Sequence, residues 1–422
     1  MAKMENNEIK NSKLIPRLRF PGFEGEWEEK PLSNFLFEHK TKSDGKCEVH
    51  SVSVSKGVIN QVEYLGRSFA AADTSKYNLV KPNDIIYTKS PTGDFSYGIV
   101  KQNKNPYNVI VSPLYAVYTP INKHIGYILD SYFESPANTN NYLSSLVQKG
   151  AKNTIQISND TFISKTMYLP TNPAEQEKIA SCLSELDNLI AAQGQKVDAL
   201  KEKKKGLMQQ LFPQPGETTP RLRFPGFEGE WEEKKLGEVF KRLTNKNAEN
   251  NKNVLTISAQ FGLISQLDFF KKSVSAVDVT GYYLLQKGDF AYNKSSSQGK
   301  PVGAIKPLKL YDKGVVSTLY ICFRCQDSKV VGFWEQYFDA GIFDKEIMSI
   351  AQEGARNHGL LNVSTNDFFG LTILMPTPAE QQKIASCLSS LDDLIAAESA
   401  KVEALKDHKK GLMQQLFPQP TK

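Results

Sequence analysis

The chain has 422 residues, enough for two or three domains, and the composition of an ordinary globular protein. Lysine and arginine number 52 against 46 acidic residues, so the net charge of +6 permits a nucleic-acid partner without requiring one, and five cysteines do not suggest a disulfide scaffold. Residues 1–13 lack the apolar core of a signal peptide and no apolar run is long enough to cross a bilayer, so we expect a cytoplasmic protein.

In chain order, the sequence is one module used twice. Residues 16–30, PRLRFPGFEGEWEEK, recur letter for letter at 220–234, an offset of 204. Residues 173–215 recur at 378–420, an offset of 205, with 34 of the 43 positions identical. The module therefore consists of a short leading segment, a variable middle and a long trailing segment.

The two middles differ far more than the segments that flank them. Apolar and aromatic runs with strand character lie between polar, glycine-containing loops, which predicts an α/β or α+β fold. The stretches that the middles share are 79–90 with 284–295, 112–118 with 317–323, and 150–153 with 354–357. We interpret the middles as two similar folds with different surface residues, which is what two readers of different targets would need.

Polar loops at equivalent places in the two middles, 88–93 and 293–300, are the first candidate binding sites. Both offer lysine for phosphate, hydroxyls or amides for base edges, and glycine for close approach of the backbone. An ordinary solvated hairpin loop is the alternative for each. The candidate DNA-contacting residues of these loops are Lys89, Ser90, Thr92, Asn293, Lys294, Ser295, Ser296, Gln298 and Lys300.

A second pair of loops, 149–154 and 353–358, carries further basic and amide side chains. Such side chains suit phosphate and base contacts. A turn before the last strand of each middle is the alternative. The candidate DNA-contacting residues here are Lys152, Asn153, Arg356 and Asn357.

Each trailing segment begins with a strong helix start, Asn172-Pro173-Ala174-Glu175 or Thr377-Pro378-Ala379-Glu380. The first residue caps the helix, proline needs no N–H at the first helical position, and the glutamate is expected to reach back to the cap. An apolar stripe follows at spacings of four and three, typical of a heptad seam. The seam residues are Ile179, Leu183, Leu186, Ile190, Val197, Leu200, Leu207, Leu211, Ile384, Leu388, Leu391, Ile395, Val402, Leu405, Leu412 and Leu416.

Polar residues interrupt both seams, where they could fix register and partner: Gln193, Lys204, Glu398 and Lys409. Each helix ends before a Pro-Gln-Pro that cannot continue it. A rod of about 40 residues with one apolar stripe is roughly 60 Å long and needs a partner. We predict that the two helices pack antiparallel about a pseudo-twofold axis, forming a coiled-coil spacer; packing of each helix on its own domain alone is the alternative.

No catalytic constellation is evident. Cys322 and Cys325 lack the second pair that a zinc site needs, and the five histidines show no ligand spacing. Gly299-Lys300 is not followed by the serine or threonine of a P-loop. An Asp/Asn-Pro-Pro-aromatic motif of amino-methyltransferases is missing as well. We therefore expect no catalytic residue, metal or cofactor on this chain, with a nuclease site built from scattered acids as the open alternative.

The repeated PRLRFPGF segment, the Pro-Ala-Glu-Gln-x-Lys-Ile-Ala helix start and the twofold repeat resemble the specificity subunit of type I restriction–modification systems, over nearly the whole chain. The resemblance implies two target-recognition domains, residues 1–171 and 216–376, which each read one half of a bipartite, asymmetric DNA site. It also implies that the helical segments 172–215 and 377–422 set the gap between the half-sites.

The resemblance also implies partners for a chain that itself performs no chemistry. Two methyltransferase subunits that carry S-adenosylmethionine would dock on the helices and methylate adenine N6, which requires flipping the base out of the duplex. Restriction subunits that translocate DNA with ATP and Mg²⁺ would join them. The alternatives are a specificity subunit of a methyltransferase-only complex, a repeat scaffold that binds proteins, and an enzyme with its own site.

Overall fold

The structure is a computed structural model that describes residues 15–149, 155–258, 262–270, 278–296, 300–353 and 361–418. The chain divides into two compact units: unit 1 comprises residues 1–194 and 401–422, and unit 2 comprises residues 195–400. Each unit therefore contains one variable middle, the first half of one trailing helix and the second half of the other.

Unit 1 is a mixed fold of helices and short strands. Its helices are α1 (Gln61–Leu65), α2 (Lys123–Phe133), α3 (Pro136–Ser144), α4 (Asn159–Ser164) and the beginning of α5 (Pro173–Leu211). Its strands are β1 (Glu28–Pro31), β2 (Leu36–Glu38), β3 (His50–Ser53), β4 (Gly57–Asn60), β5 (Asn78–Val80), β6 (Ile85–Tyr87), β7 (Val100–Gln102), β8 (Val109–Val111), β9 (Ala116–Pro120), β10 (Gln148–Lys149), β11 (Ile155–Gln156) and β12 (Thr166–Leu169).

Unit 2 repeats this set of elements and has one further short α-helix, α6, where unit 1 has a 3-10 turn at Leu32–Asn34. Its helices after α5 are α6 (Leu236–Val239), α7 (Gln266–Phe270), α8 (Val331–Asp339), α9 (Asp344–Ile350), α10 (Thr365–Gly370) and the beginning of α11 (Pro378–Leu416). Its strands are β13 (Glu232–Lys235), β14 (Phe240–Leu243), β15 (Leu255–Ser258), β16 (Gly262–Ser265), β17 (Tyr283–Gln286), β18 (Phe290–Asn293), β19 (Ala304–Pro307), β20 (Lys313–Val316), β21 (Ile321–Cys325), β22 (Gln352–Glu353), β23 (Leu361–Asn362) and β24 (Thr372–Met375).

The sheet topology follows the sequence repeat. The largest sheet of unit 1 is antiparallel with strand order β2-β9-β6-β7, and that of unit 2 has the order β14-β21-β18-β19. The remaining strands pair in twos, and each pair of unit 1 recurs twelve strands later: β1 with β12 becomes β13 with β24, and β5 with β8 becomes β17 with β20. The two middles therefore share one fold despite their different letters.

Equivalent aromatic pairs hold the two cores. In unit 1 the rings of Tyr87 and Phe162 stack with their centroids 4.7 Å apart, and in unit 2 those of Tyr292 and Phe368 stack at 5.1 Å. Each pair joins the central sheet to a short helix, α4 or α10, and all four side chains are fully buried. Large buried rings contribute much of the apolar area that stabilises a domain, so these pairs fix the short helices on the sheets.

The ends of the long helices are part of the unit cores. Ile179 and Leu183 at the start of α5 join Leu416 at the end of α11 in the core of unit 1. In unit 2 the start of α11 and the end of α5 do the same through Ile384 and Leu211. The helices thus pack on the domains at their ends, and all sixteen predicted seam residues are buried or half-buried.

Within each unit the two helix segments run antiparallel. In unit 2, Lys196 Nζ lies 2.9 Å from Glu398 Oε1, and farther along α5 Lys204 Nζ lies 2.6 Å from Asp392 Oδ1. In unit 1, Lys409 Nζ lies 2.7 Å from Asp187 Oδ1. Three of the polar residues predicted to interrupt the seams, at 204, 398 and 409, are therefore held in ion pairs across the helices.

The leading segments tie the helix ends together. Arg19 donates two hydrogen bonds to the buried carboxylate of Glu175, at 2.8 and 2.9 Å, and the Leu18 backbone N–H donates to the Gln415 carbonyl at 3.0 Å. Glu175 thus serves as the anchor for an arginine rather than reaching back to its helix cap. A bidentate arginine–carboxylate pair is among the stronger and more directional polar contacts.

Unit 2 uses the same arrangement. Arg223 donates to both carboxylate oxygens of Glu380 at 2.8 Å, and the Leu222 N–H donates to the Gln210 carbonyl at 2.9 Å. The two leading segments therefore have identical sequences because each makes the same contacts with the ends of the long helices. Across the part of the chain that the structure describes, no helix is both long and apolar enough to cross a membrane.

Candidate nucleic-acid interface

The loop that follows β6 carries three of the candidate residues. Its tip is a tight turn, in which Thr92 and Phe95 exchange backbone hydrogen bonds of 3.0 Å. Ser90 and Thr92 are exposed, and their hydroxyls make only long contacts with nearby carbonyl groups, at 3.5 and 3.3 Å. Both hydroxyls are therefore able to exchange these weak bonds for contacts with a ligand.

Lys89, at the root of this loop, points towards two other elements. Its Nζ donates to Asn159 Oδ1 on α4, and Asn159 Nδ2 donates to Glu38 Oε1 on β2 at 2.6 Å. Burial lowers the pKa of Lys89, and the charge of Glu38 acts in the opposite direction. We call Glu38, Lys89 and Asn159 the unit 1 trio; all three side chains are half-buried.

A glycine packs against the root of the loop in each unit. Lys89 has a φ of 60°, an uncommon conformation for a residue with a Cβ, and a Cβ on Gly98 would lie 2.8 Å from the Lys89 nitrogen. In unit 2 a Cβ on Gly303 would overlap the carbonyl oxygen of Asn293. The loop roots are therefore held by a backbone contact that only glycine permits.

The loop that follows β18 carries the corresponding candidates of unit 2. Asn293 Oδ1 accepts a hydrogen bond from the Ser295 N–H at 3.1 Å, and the Lys294 carbonyl accepts one from the Leu361 N–H at 3.0 Å. Ser295 and Ser296 are exposed. The first part of this loop is thus anchored at its root and open at its side chains, as in unit 1.

Lys294 lines a small cleft with Arg242 on β14 and Thr365 on α10. We call these three residues the unit 2 trio. Arg242 is exposed, whereas Lys294 and Thr365 are half-buried. Among the residues that line this cleft there is no aspartate or glutamate, so its local charge is positive.

The two trios occupy equivalent positions. Glu38 stands opposite Tyr118 in the strand register of unit 1, and Arg242 stands opposite Phe323 in that of unit 2. The third member is in each case the first residue of a short helix whose preceding serine caps it. The lysine is common to both trios, while its neighbours change from an acid and an amide to a guanidinium and a hydroxyl.

A second lysine also recurs. Lys42 and Lys246 form equivalent backbone bridges with Asn78 and Tyr283. Lys42 Nζ donates to Asn78 Oδ1 at 2.6 Å, whereas Lys246 Nζ lies 4.4 Å from the centre of the Tyr283 ring, a cation–π distance. Tyr283 lines the same cleft as Lys294. Basic and aromatic side chains are therefore interleaved around the unit 2 cleft.

An exposed leucine recurs in the turn that precedes β9 in unit 1 and β21 in unit 2. Leu114 is 75% exposed and Leu319 is 61% exposed, and each backbone N–H donates to the hydroxyl of a serine two residues earlier at 3.3 Å. Leu319 lines the unit 2 cleft. Both leucine side chains are thus held out to solvent at the same place in the two units.

Several candidates are placed elsewhere or lie outside the described residues. Lys300 is half-buried, and its charge acts on Asp344, whose pKa burial raises and Lys300 lowers. The candidates outside the described residues are Lys152, Asn153, Gln298, Arg356 and Asn357. Sequence reasoning missed four residues that the structure places beside the lysines: Glu38, Asn159, Arg242 and Thr365.

The cysteine pair of unit 2 belongs to a strand. Cys322 and Cys325 lie on β21, and burial raises the pKa of Cys322 to about 12 and that of Cys325 to about 11. Thiols with such pKa values are poor nucleophiles at neutral pH. Within the described ranges, no group of three or more histidine, cysteine, aspartate or glutamate side chains is placed to hold a metal ion.

Comparison with known proteins assigns the sequence to a family. The sequence profile described as "Type I restriction modification DNA specificity domain" matches residues 29–202 and 228–407, together most of the chain. Among curated proteins, the type I restriction enzyme MjaVIII specificity subunit of Methanocaldococcus jannaschii is 27% identical over 283 residues, which are 61% of this chain and 63% of that protein.

A second protein of the same organism, the putative type I restriction enzyme MjaX specificity subunit, is 26% identical over 272 residues, 60% of this chain and 59% of that protein. The chain thus spans about three fifths of the length of these curated relatives. Among solved structures, the S subunit of a type I restriction–modification system from M. genitalium superposes with a TM-score of 0.56 at 14% identity, covering 96% of this chain and 100% of that chain. At that identity the likeness shows a shared fold.

Proposed function

This chain belongs to the family of type I restriction modification DNA specificity domains, and we propose on that premise that it recognises DNA sequence for a type I restriction–modification complex. The observation that carries the proposal is the pair of trios. The same fold occurs twice and keeps its lysines, while the polar groups around the lysines differ between the units. This pattern is expected of two domains that recognise different DNA sequences. The chain would determine which DNA sequence the complex binds and would itself catalyse no reaction.

We propose further that the DNA site is bipartite and asymmetric. Each unit would read one half-site, because each has its own loop and its own trio. The division into recognition segments 1–171 and 216–376 and helical segments 172–215 and 377–422 is part of this proposal. An asymmetric site follows from the different chemistry of the two trios.

The long helices would set the gap between the half-sites. Their paired segments contain buried or half-buried apolar stripes and are joined by ion pairs such as Lys204 with Asp392, which support a stiff spacer. Because the seam residues are turned inward within the units, two methyltransferase subunits would dock on the outward faces of the helices. Restriction subunits would join that assembly.

The direct test expresses the chain with its neighbouring methyltransferase subunits and maps adenine methylation across the host genome. We expect one two-part motif with a constant gap, which disappears when this chain is deleted. An assembled complex that methylates no such motif would contradict DNA recognition and favour a scaffold that binds proteins. Restriction of unmethylated plasmids by the complete gene cluster would separate a restriction–modification complex from a methyltransferase-only complex.

The spacer is tested by lengthening both helices together. One heptad inserted after Gln193 and another after Glu398 keeps the seam in phase and adds about 10 Å to each helix, or roughly three base pairs of duplex. We expect the same two half-sites separated by a longer gap. A matched variant of unchanged length, Asn188→Ala with Gln195→Ala, changes only exposed side chains of the same stretch and should leave the gap unchanged. An unchanged gap in the lengthened protein would contradict the spacer.

A further inference from the structure

The residues around the trios divide into a constant and a changing set. Lysine is kept in both units at the positions of Lys89 and Lys294 and of Lys42 and Lys246. Glutamate changes to arginine between β2 and β14, asparagine to tyrosine between β5 and β17, and asparagine to threonine between α4 and α10. In unit 2, Arg242, Tyr283, Lys294 and Thr365 line one cleft, and in unit 1 hydrogen bonds join Lys89, Asn159 and Glu38.

This division matches the two kinds of contact that a DNA reader makes. Phosphates are the same at every step of the duplex, so cations that hold them need not change between readers. Base edges differ from one target to another, so the groups that read them must change. The kept lysines therefore suit phosphate, and the changed pair Glu38 and Arg242 suits bases, whereas Asn78 is buried with its amide bonded to backbone carbonyls.

Resting on the proposed function, we infer that the β2 and β14 position selects one base in each half-site: Arg242 selects guanine in the half-site of unit 2, and Glu38 selects cytosine in the half-site of unit 1. Arginine presents two parallel N–H donors that match the N7 and O6 acceptors of guanine in the major groove. A carboxylate only accepts hydrogen bonds, so it is repelled by those acceptors and matched by the N4 amino group of cytosine.

The surroundings of Arg242 leave its donors free for this task. The side chain is exposed at the rim of the cleft, and among the residues that the structure describes no acidic partner is found for it. Lys294 in the same cleft repels any other cation and favours an anionic or acceptor-rich ligand. A guanine with a neighbouring phosphate supplies both features.

The surroundings of Glu38 hold one carboxylate oxygen and leave the other for a ligand. Oε1 accepts from Asn159 at 2.6 Å, which fixes the side chain, while Oε2 lies 3.9 Å from the ammonium of the exposed Lys40. At that distance the lysine makes no hydrogen bond with the carboxylate. The Glu38 side chain is 13% exposed, and among the described residues Oε2 accepts no hydrogen bond, so it is oriented to accept one from a base that reaches it.

The experiment uses the full chain in complex with its methyltransferase subunits, and the probe is a set of duplexes carrying the mapped motif with each base pair changed in turn. For the unmodified chain we expect a G·C pair in the half-site of unit 2 whose replacement weakens binding roughly 5- to 150-fold. Arg242→Ala should remove that preference and leave the other half-site unchanged. Arg242→Gln should move the preference from guanine towards adenine, which glutamine reads.

The matched control is Lys241→Ala. Lys241 is an exposed cation on the same strand and stands opposite Arg324, so its side chain lies on the other face of β14. Its loss lowers the net charge equally and should leave every base preference in place. Equal loss of base preference in Lys241→Ala and Arg242→Ala would overturn the assignment, because it would show a charge effect alone.

Glu38→Gln tests the other half-site. The amide keeps the size of the carboxylate but donates as well as accepts, so we expect the cytosine preference to relax towards adenine while the half-site of unit 2 stays unchanged. Glu24→Gln, an exposed carboxylate in the leading segment, is the control. Since a purely structural Glu38 would change overall affinity without changing base preference, the ratio between base pairs is the decisive readout.

The outcomes separate this inference from the proposed function. If the unmodified complex shows no bipartite motif, the proposed function fails. If the motif exists but both variants keep every base preference of the unmodified chain, only the assignment of Arg242 and Glu38 fails. Changes confined to different half-sites in the two variants, with guanine in one and cytosine in the other, establish it.

Discussion

In unit 1 the side chain opposite Tyr118 on the central sheet is Glu38, and in unit 2 the side chain opposite Phe323 is Arg242. The sheets, their strand orders and the stacked aromatic pairs beneath them are alike. A charge reversal at this position leaves the fold intact because the buried rings and the backbone pairing carry the stability. This position can therefore carry opposite charges without a change of fold.

Where a charge is buried, the two units differ in another way. Asp84 and Asp289 are equivalent and both are buried. Asp84 accepts hydrogen bonds of 2.8 Å from His39 and from Thr119, whereas Asp289 accepts two from Arg324, at 2.5 and 2.9 Å. A buried carboxylate must be paired, so its partners changed together while the acid stayed.

The largest effect is expected at the arginine–glutamate pair of each leading segment, Arg19 with Glu175 or Arg223 with Glu380, which we call the clamp. Glu175→Ala leaves the Arg19 guanidinium without its partner, which should lower the free energy of unfolding by about 3–5 kcal/mol. Glu380→Ala should cost slightly less, because Trp27 also donates to Glu175, at 3.2 Å, while within the described residues Trp231 has no such bond. Urea unfolding of both variants measures the difference.

The control for the clamp is Glu177→Ala, an exposed residue on the same turn of α5. Its change should stay within about 0.5 kcal/mol. A similar small loss in Glu175→Ala would contradict a structural role for the clamp.

The next effect concerns the loop roots. Gly303→Ala combines a left-handed φ of 85° with overlap on the Asn293 carbonyl, and should cost roughly 2–4 kcal/mol. Gly226→Ala has a φ of 91° and open space around its Cβ, so it should cost only the conformational part, about 1–2 kcal/mol. Thermal unfolding of both variants separates close packing from backbone conformation; equal losses would mean that the root is not tightly packed.

A pH effect is expected at the helix pair of unit 1. Burial acts to lower the pKa of Lys409, but the charges of Glu134 and Asp187 outweigh it and raise that pKa above 10.5. The folded chain then keeps a proton that the unfolded chain releases, so this stabilisation is complete below about pH 10.5 and is lost as the pH rises through the raised pKa. Lys409→Met should therefore show a shallower fall of stability between pH 10 and 12.

Buried tyrosines such as Tyr142, whose pKa burial raises, add the same alkaline slope to the variant and to the unmodified chain. Lys410→Met, an exposed neighbour, serves as the control and should keep the full slope. Chemical unfolding at a series of pH values gives the comparison. Identical slopes for all three proteins would show that Lys409 does not contribute to the pH dependence of stability.

The smallest effect sharpens the comparison of the two trios. Lys294→Ala should weaken DNA binding at low salt and reduce the salt slope by about one. Lys89→Ala should do less, because the Lys89 amine is already held by Asn159 and partly neutralised by Glu38. Titrations at several salt concentrations test both; unchanged affinity and salt slope in both variants would remove these lysines from the interface.

Much of the architecture could be predicted because its signals are local or periodic. The four-and-three spacing from Ile179 to Leu211 follows the turn of a helix, so the long helices and their buried stripe were predictable. The loops after residues 87 and 292 could be placed by comparing the two copies. The bidentate contact of Arg19 with Glu175 could not, because it joins residues 156 positions apart.

The amino-acid sequence by itself determined the duplication, the long helices and the equivalence of the two loops, because repeats and periodicities lie along the chain. They did not show that Glu38 and Asn159 meet Lys89, or that Arg242 and Thr365 share a cleft with Lys294. Those groups come from the second strand, a loop and a late helix of each unit, and strand pairing and core packing bring them together. Side chains that are distant in sequence acquire a common chemistry only when the backbone closes its hydrogen bonds and the aromatic core excludes water.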